Sequence, residues 1–228
     1  MIAFERPLVA HAARPLRVFE CVVERQQRNV LLACDLHDQH VRAPSTLVEP
    51  CRDLVPWTFG AMFGPGRDTP KPELWLPPGG LAELEQFGEK FGVPGMFSEG
   101  FDAREYKEGA SFTTCGLTVM PMQVPHYQLQ TFALRVSDGM STLAYSGDSA
   151  PSPQLAEVGR DADLFLCEAT LRESIEGGNG LRGHLSAEEA IAAFHDSDAK
   201  RLVIIHRPDE LPLDDGIERA SDGDVYVF

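Results

Sequence analysis

Residues Leu143 to Thr170 read LAYSGDSAPSPQLAEVGRDADLFLCEAT, and their pattern decides the fold. Ser141 to Tyr145 is a short apolar run that reads as a strand. It is entered from Thr131 to Val136 (TFALRV), a second strand, through the Ser137-Asp138-Gly139 turn, a hairpin signal. Gly147-Asp148 follows directly. Asp163 to Cys167 (DLFLC) reads as a short buried strand with Glu168 at its end. Side chains at strand ends and on the loops after them can converge on one rim, where sites are usually built on a rigid scaffold.

The same grammar extends outward. Gly116 to Val124 (GLTVMPMQV), Arg201 to Ile205 (RLVII) and Asp224 to Phe228 (DVYVF) read as strands, as does Arg17 to Glu24 (RVFECVVE). Leu81 to Phe91 carries Leu81, Leu84, Phe87 and Phe91 at helical spacing. Ser186-Ala187-Glu188-Glu189 is a capping box opening the helix AEEAIAAFH. Prolines and glycines crowd residues 56–80, which predicts loops there. With no repeat and no linker, residues 1–228 read as a single domain of packed sheets with peripheral helices.

Composition narrows the function. A hydrophobic content of 43% supplies a core. No run reaches the ~18 apolar residues of a membrane helix, and the first residues show no secretory pattern, so a cytoplasmic location and no membrane partner are expected. Five cysteines without a CxxC pair read as free thiols. The net charge of −15 disfavours a long nucleic acid, whose phosphates need clustered Lys and Arg. A small-molecule substrate fits, and a homodimer is compatible with the sequence.

Of seven histidines, five share the strand-end context. His37 and His40 follow NVLLA in CDLHDQH, His126 follows GLTVMPMQVP, His206 follows RLVII, and His184 lies in the loop before the capped helix. Each taken alone reads as a satisfied structural histidine. Their recurrence beside one Gly-Asp points to imidazole and carboxylate ligands for zinc, manganese or iron(II). His11 and His195 lack that context. Glu168 could orient a ligand imidazole or cap the next segment. Trp57, Phe59, Met62 and Phe63 could line a pocket wall or pack as core.

In this order the motifs resemble the metallo-β-lactamase superfamily, in its ribonuclease Z-like branch of phosphodiesterases. Asp35-Leu36-His37-Asp38-Gln39-His40 matches HxHxDH in part, His126 the third ligand, Asp148 the bridging carboxylate, His184 in GHLSAEEA the loop histidine, and His206 in LVIIH the last ligand. The resemblance implies an α/β fold, a four-layer αβ/βα sandwich with the site on one edge of its sheets. It implies a metal set of Asp35, His37, His40, His126, Asp148 and His206, holding one or two ions of Zn2+ (or Mn2+ or Fe2+). Asp148 and His184 are the implied catalytic residues, His184 protonating the leaving oxygen.

Two departures stand out. Asp35 replaces the first histidine and Gln39 the motif's aspartate, which weakens the second metal position; Asp38 is one place off. The opening segment carries no glycine before residue 60, so a shortened or altered N-terminal hairpin is expected. The tRNA-processing members carry a protruding arm between the third ligand and the bridging Asp; here only 22 positions separate His126 from Asp148. The implied function is hydrolysis, by a metal-activated water, of a small phosphodiester such as a cyclic nucleotide. The alternatives are an impaired member with a binding or structural role, and a hydrolase of another small ester, lactone or lactam.

Overall fold

The structure, a computed structural model of the 228-residue chain, describes residues 20–24, 29–33, 40–42, 51–64, 67, 70–174, 182–221 and 224–227. For residues 20–24, 29–33, 40–42, 51–53 and 227, that description covers the backbone alone.

Two sheets carry the chain. The first contains β1 (Glu20–Glu24), β2 (Asn29–Ala33), β3 (His40–Arg42), β4 (Glu73–Leu76), β5 (Asp102–Glu105) and, arriving last, β13 (Val225–Val227). Their order is β13-β1-β2-β3-β4-β5. The second contains β6 (Phe112–Thr114), β7 (Leu117–His126), β8 (Leu129–Ser137), β9 (Thr142–Tyr145), β10 (Leu164–Glu168), β11 (Leu202–Ile205) and β12 (Glu218–Arg219), in the order β12-β11-β10-β9-β8-β7-β6. Strands β6 to β9 pair antiparallel, whereas β9, β10, β11 and β12 pair in parallel.

Burial explains why the central strands read as unbroken apolar runs. All of β10 and all of β11 are buried, as parallel strands covered on both faces must be. Leu164, Leu166, Val203 and Ile205 join a core with Trp75, Tyr106 and Tyr226, which the first sheet and its edge supply. Phe165, Cys167, Leu202 and Ile204 point the other way, toward α4 (Pro153–Gly159) and α5 (Ala187–Ser197). On the far side, Leu74 and Leu76 of β4 pack with α1 (Cys51–Phe63), α2 (Gly80–Phe91) and α3 (Met96–Gly100). The layers run helix, sheet, sheet, helix, the four-layer αβ/βα sandwich that the resemblance implies.

Residues 56–80 differ from the loops predicted for them. They contain most of α1, with Pro56 inside it, and the whole of β4. Leu54, Val55, Thr58, Phe59 and Met62 recur at helical spacing; Leu54 and Thr58 are buried and the apolar members pack on the outer core. Helices in proteins owe most of their stability to such a face, and here it overrides a proline that costs about 3 kcal/mol in a helix interior. The short helix α4 has no counterpart in the sequence reading, although Pro153 stands at its first turn, where proline is well tolerated. At the N-terminal side, β1 and β2 form an antiparallel hairpin running from Glu20↔Ala33 to Glu24↔Asn29. Residues 1–19, where the altered opening is expected, lie outside the described residues.

Candidate metal centre

Five chain segments deliver the site. Strand β7 ends on His126, and β9 runs through Ser146 and Gly147 (φ 61°) into Asp148. Strand β10 ends on Glu168, and the residue after β11 is His206, itself at φ 49°. Such a left-handed backbone is uncommon for a residue with a β-carbon, and its occurrence at a strand end marks a position held by its surroundings. His184 comes from the loop that enters the capping box of α5.

Each imidazole uses Nδ1 on an oxygen. His126 Nδ1 lies 2.7 Å from the Gly183 carbonyl, His184 Nδ1 2.9 Å from Glu168 Oε1, and His206 Nδ1 2.8 Å from Asp148 Oδ1. A carbonyl only accepts, so Nδ1 of His126 carries the hydrogen and Nε2 is left with its lone pair. The other two acceptors are carboxylates, which fix the same orientation. This is how imidazoles are set up to ligate through Nε2. The rings are close: 4.9 Å between the centroids of His126 and His184, 5.4 Å between those of His184 and His206. Potential ligand atoms of His126, Asp148 and His184 all lie within 4.8 Å of one another, as do those of Glu168, His184 and His206.

The carboxylates have distinct roles. Burial pushes the Asp148 pKa up, but the hydrogen bond from His206 and the fields of His206, His184 and His126 outweigh it and hold the group below its ordinary value. Asp148 is therefore a ready anion among imidazoles. Glu168 is fully buried and accepts from Ser149 N–H (3.0 Å) and His184 on Oε1, and from Thr170 N–H and Thr170 Oγ1 (both 2.9 Å) on Oε2. Those bonds offset the cost of taking a carboxylate out of water.

A further set of contacts holds the loops. The Arg207 guanidinium donates to the carbonyls of Ala169, Leu171 and Pro212, tying the segment after β10 to the one after β11. Arg182 donates through Nε to the His184 carbonyl (3.0 Å) and pairs with Glu189, whose carboxylate also accepts from Ser186 N–H. The capping box thereby fixes the entry of α5 and the histidine before it.

Of the residues expected from sequence, His126, Asp148, His184 and His206 come together on this rim. His40 is the first residue of β3, with only its backbone described, while Asp35, His37, Asp38 and Gln39 lie outside the described residues. Their ligation is still an expectation. Thr170, Arg207 and Tyr127 are site neighbours the sequence did not announce. Thr170 stands two residues after Glu168, a strand-end repeat that puts both on one side, and this was the available signal. The donor set of imidazoles and carboxylates fits a hard-to-borderline divalent ion.

Residues 62–207 match the β-lactamase superfamily domain. The chain belongs to that family. Its fold is that of the metallo-β-lactamase superfamily, whose members are mostly metal-dependent hydrolases. An uncharacterised protein of Mycobacterium leprae is 34% identical over 134 residues, covering 57% of this chain but 46% of the relative, so the match spans under half of that protein. An uncharacterised protein of Mycobacterium tuberculosis is 30% identical over 193 residues, 82% of this chain and 70% of the relative. A ribonuclease Z of Ignicoccus hospitalis is 38% identical over 64 residues, 28% of this chain and 21% of that one. Among solved structures, the metallo-β-lactamase fold protein YhfI of Bacillus subtilis superposes with a TM-score of 0.69 at 16% identity, over 93% of this chain and 100% of that chain. A diphosphatase of the PhnP family gives 0.62 at 16% identity, over 88% and 83%.

Proposed function

We propose that the chain is a metal-dependent hydrolase of a small phosphodiester, such as a cyclic nucleotide. The observation that carries this reading is the convergence of His126, Asp148, His184 and His206, with every Nδ1 engaged by an oxygen. Asp148, His126 and His206 would hold Zn2+, or Mn2+ or Fe2+, as one or two ions, with His40, His37 and Asp35 as expected contributors from the first motif. Such an ion supplies Lewis acidity to a phosphoryl oxygen and acidifies water near neutral pH. His184 is held by Glu168 so that its Nε2 faces the rim, where it can carry a proton to the leaving oxygen.

Two features favour a small substrate over RNA. The segment from His126 to Asp148 is taken up by β8, β9 and their turns, with no room for an arm. The net charge of −15 opposes a polyanion. Phosphoryl chemistry in general is supported by the likeness to a diphosphatase and to a ribonuclease Z. The test is turnover of bis(4-nitrophenyl) phosphate with zinc or manganese, compared with His206→Ala. We expect a drop of about 100-fold or more in the variant. Equal residual rates in both proteins would refute an activity at this centre.

A further inference from the structure

We infer that Tyr127 is the specificity-determining wall of the site, an aromatic platform for the nucleobase of a nucleoside phosphodiester. The inference rests on the phosphodiester reading and names the part of the substrate that lies beyond the phosphate.

Tyr127 directly follows His126, yet the two differ sharply in burial: His126 is 6% exposed and Tyr127 51%. A half-exposed tyrosine would by itself mean little. Its placement is what is unusual. Its ring centroid is 5.0 Å from that of His126 and 5.7 Å from that of His184, edge-to-face with both. Its backbone sits at φ 50°, as suits the first residue of the two-residue turn that joins β7 to β8 and pairs His126 with Leu129, and its neighbours hold the side chain from there. The neighbours are identifiable. Tyr127 N–H donates to the Arg182 carbonyl at 3.0 Å. The ring rests against Gly183, where a β-carbon would lie 2.2 Å from Cε2, 2.4 Å from Cδ2 and 2.7 Å from Cζ. Any other residue at 183 would drive the ring away.

One glycine thus makes the seat, and its own carbonyl orients His126. The ring is pinned on the side of Gly183 and the imidazoles and open elsewhere. Leu129, 46% exposed, continues the apolar surface at the same turn. A phosphodiester held at the imidazole rim would have its organic substituent within reach of this ring. Stacking on an aromatic side chain accepts any base, since every base offers a π-face. Binding energy spent there on a part of the substrate remote from the reacting phosphate sets selectivity.

The experiment compares adenosine 3′,5′-cyclic phosphate with the 3′,5′-cyclic phosphate of 1-O-methylribose, which lacks a base, in wild type, Tyr127→Phe and Tyr127→Leu. For the adenosine substrate, Tyr127→Leu is expected to raise KM about 5- to 100-fold, the range of one lost base–aromatic stack, with kcat changed less than about threefold. The abasic substrate should show no such change, and Tyr127→Phe should behave as wild type. The same split is read without turnover in the affinities for adenosine 5′-monophosphate and ribose 5-phosphate by titration calorimetry. Equal effects of Tyr127→Leu on both substrates, or no effect on either while wild type turns both over, would overturn the inference. If wild type turns over neither substrate, the phosphodiester reading fails and takes this one with it.

Discussion

Replacing Glu168 gives the sharpest test of how the site is built. The carboxylate is fully buried and serves four donors: Ser149 N–H, Thr170 N–H, Thr170 Oγ1–H and His184 Nδ1–H. Glu168→Ala takes that acceptor from all four; the Thr170 hydroxyl can turn to the His206 carbonyl, 3.1 Å away, whereas the two backbone N–H groups have no such substitute. A buried donor without a partner costs about 1–3 kcal/mol. The backbone of fully buried Ser149 has no access to water, whereas Thr170 and His184 are partly exposed and recover some hydration. The expected loss is about 4 kcal/mol, a large part of the ~5–15 kcal/mol that holds a domain together. Glu168→Gln keeps the shape but leaves one oxygen. If its amide nitrogen takes the Oε2 place, it faces Thr170 N–H; if it takes the Oε1 place, it faces Ser149 N–H. One backbone donor goes unpaired either way, for about 2 kcal/mol, or roughly 4–8 °C in Tm at this chain length. The glutamine amide can also donate to His184 Nδ1 and reverse the tautomer, so activity should fall about 10- to 100-fold. Urea melts of the three proteins, with 15N spectra of His184, measure both effects. An alanine variant within about 1 kcal/mol of wild type would show that this carboxylate does not organise the rim.

Two further outcomes concern stability away from the rim. Asp163 accepts from Lys200 Nζ at 2.6 Å and from Thr142 N–H at 2.8 Å; the Lys200 hydrogen bond in particular holds its pKa below the ordinary value, against a smaller upward push from burial. A depressed pKa stabilises the fold above the unfolded value of about 3.9, and that contribution disappears as pH falls through the lowered folded value. Urea midpoints from pH 6 to 2 should therefore drop less steeply below about pH 4 in Asp163→Asn, with a difference under about 1 kcal/mol because Lys200 is exposed. In the helical layer, a β-carbon on Gly159 would lie 2.8 Å from Ser197 Cβ and 3.0 Å from Phe165 Cε1. Gly159→Ala should cost about 1–3 kcal/mol, read as a lower urea midpoint with unchanged metal content.

What the sequence makes legible follows from the physics of each element. Strands β10 and β11 are legible because burial on both faces forces unbroken apolar runs, and α5 because its capping box is local chemistry. Asp148, His184 and His206 are legible since each comes just after a strand or just before a capped helix. Helix α1 is hidden behind Pro56 and Gly60, which outvote an apolar face when only local signals are weighed; its partners Leu74, Met96 and Phe97 are distant in sequence. Glu168 is visible from sequence only as one of two alternatives. What decides its role is the convergence of Ser149, Thr170 and His184, which comes from packing. Tyr127 has no sequence signal, because an exposed aromatic at a turn gains meaning only from the glycine 56 positions later that seats it.

The central claim is that this rim holds metal. Elemental analysis of the purified chain after equilibration with micromolar zinc and removal of free ion tests it most directly. The account predicts one to two equivalents of tightly held transition metal, reduced to a trace in the His126→Ala/His206→Ala variant that retains the wild-type circular dichroism spectrum. Wild-type protein that retains well under one equivalent, or a variant that retains as much as wild type, would contradict it.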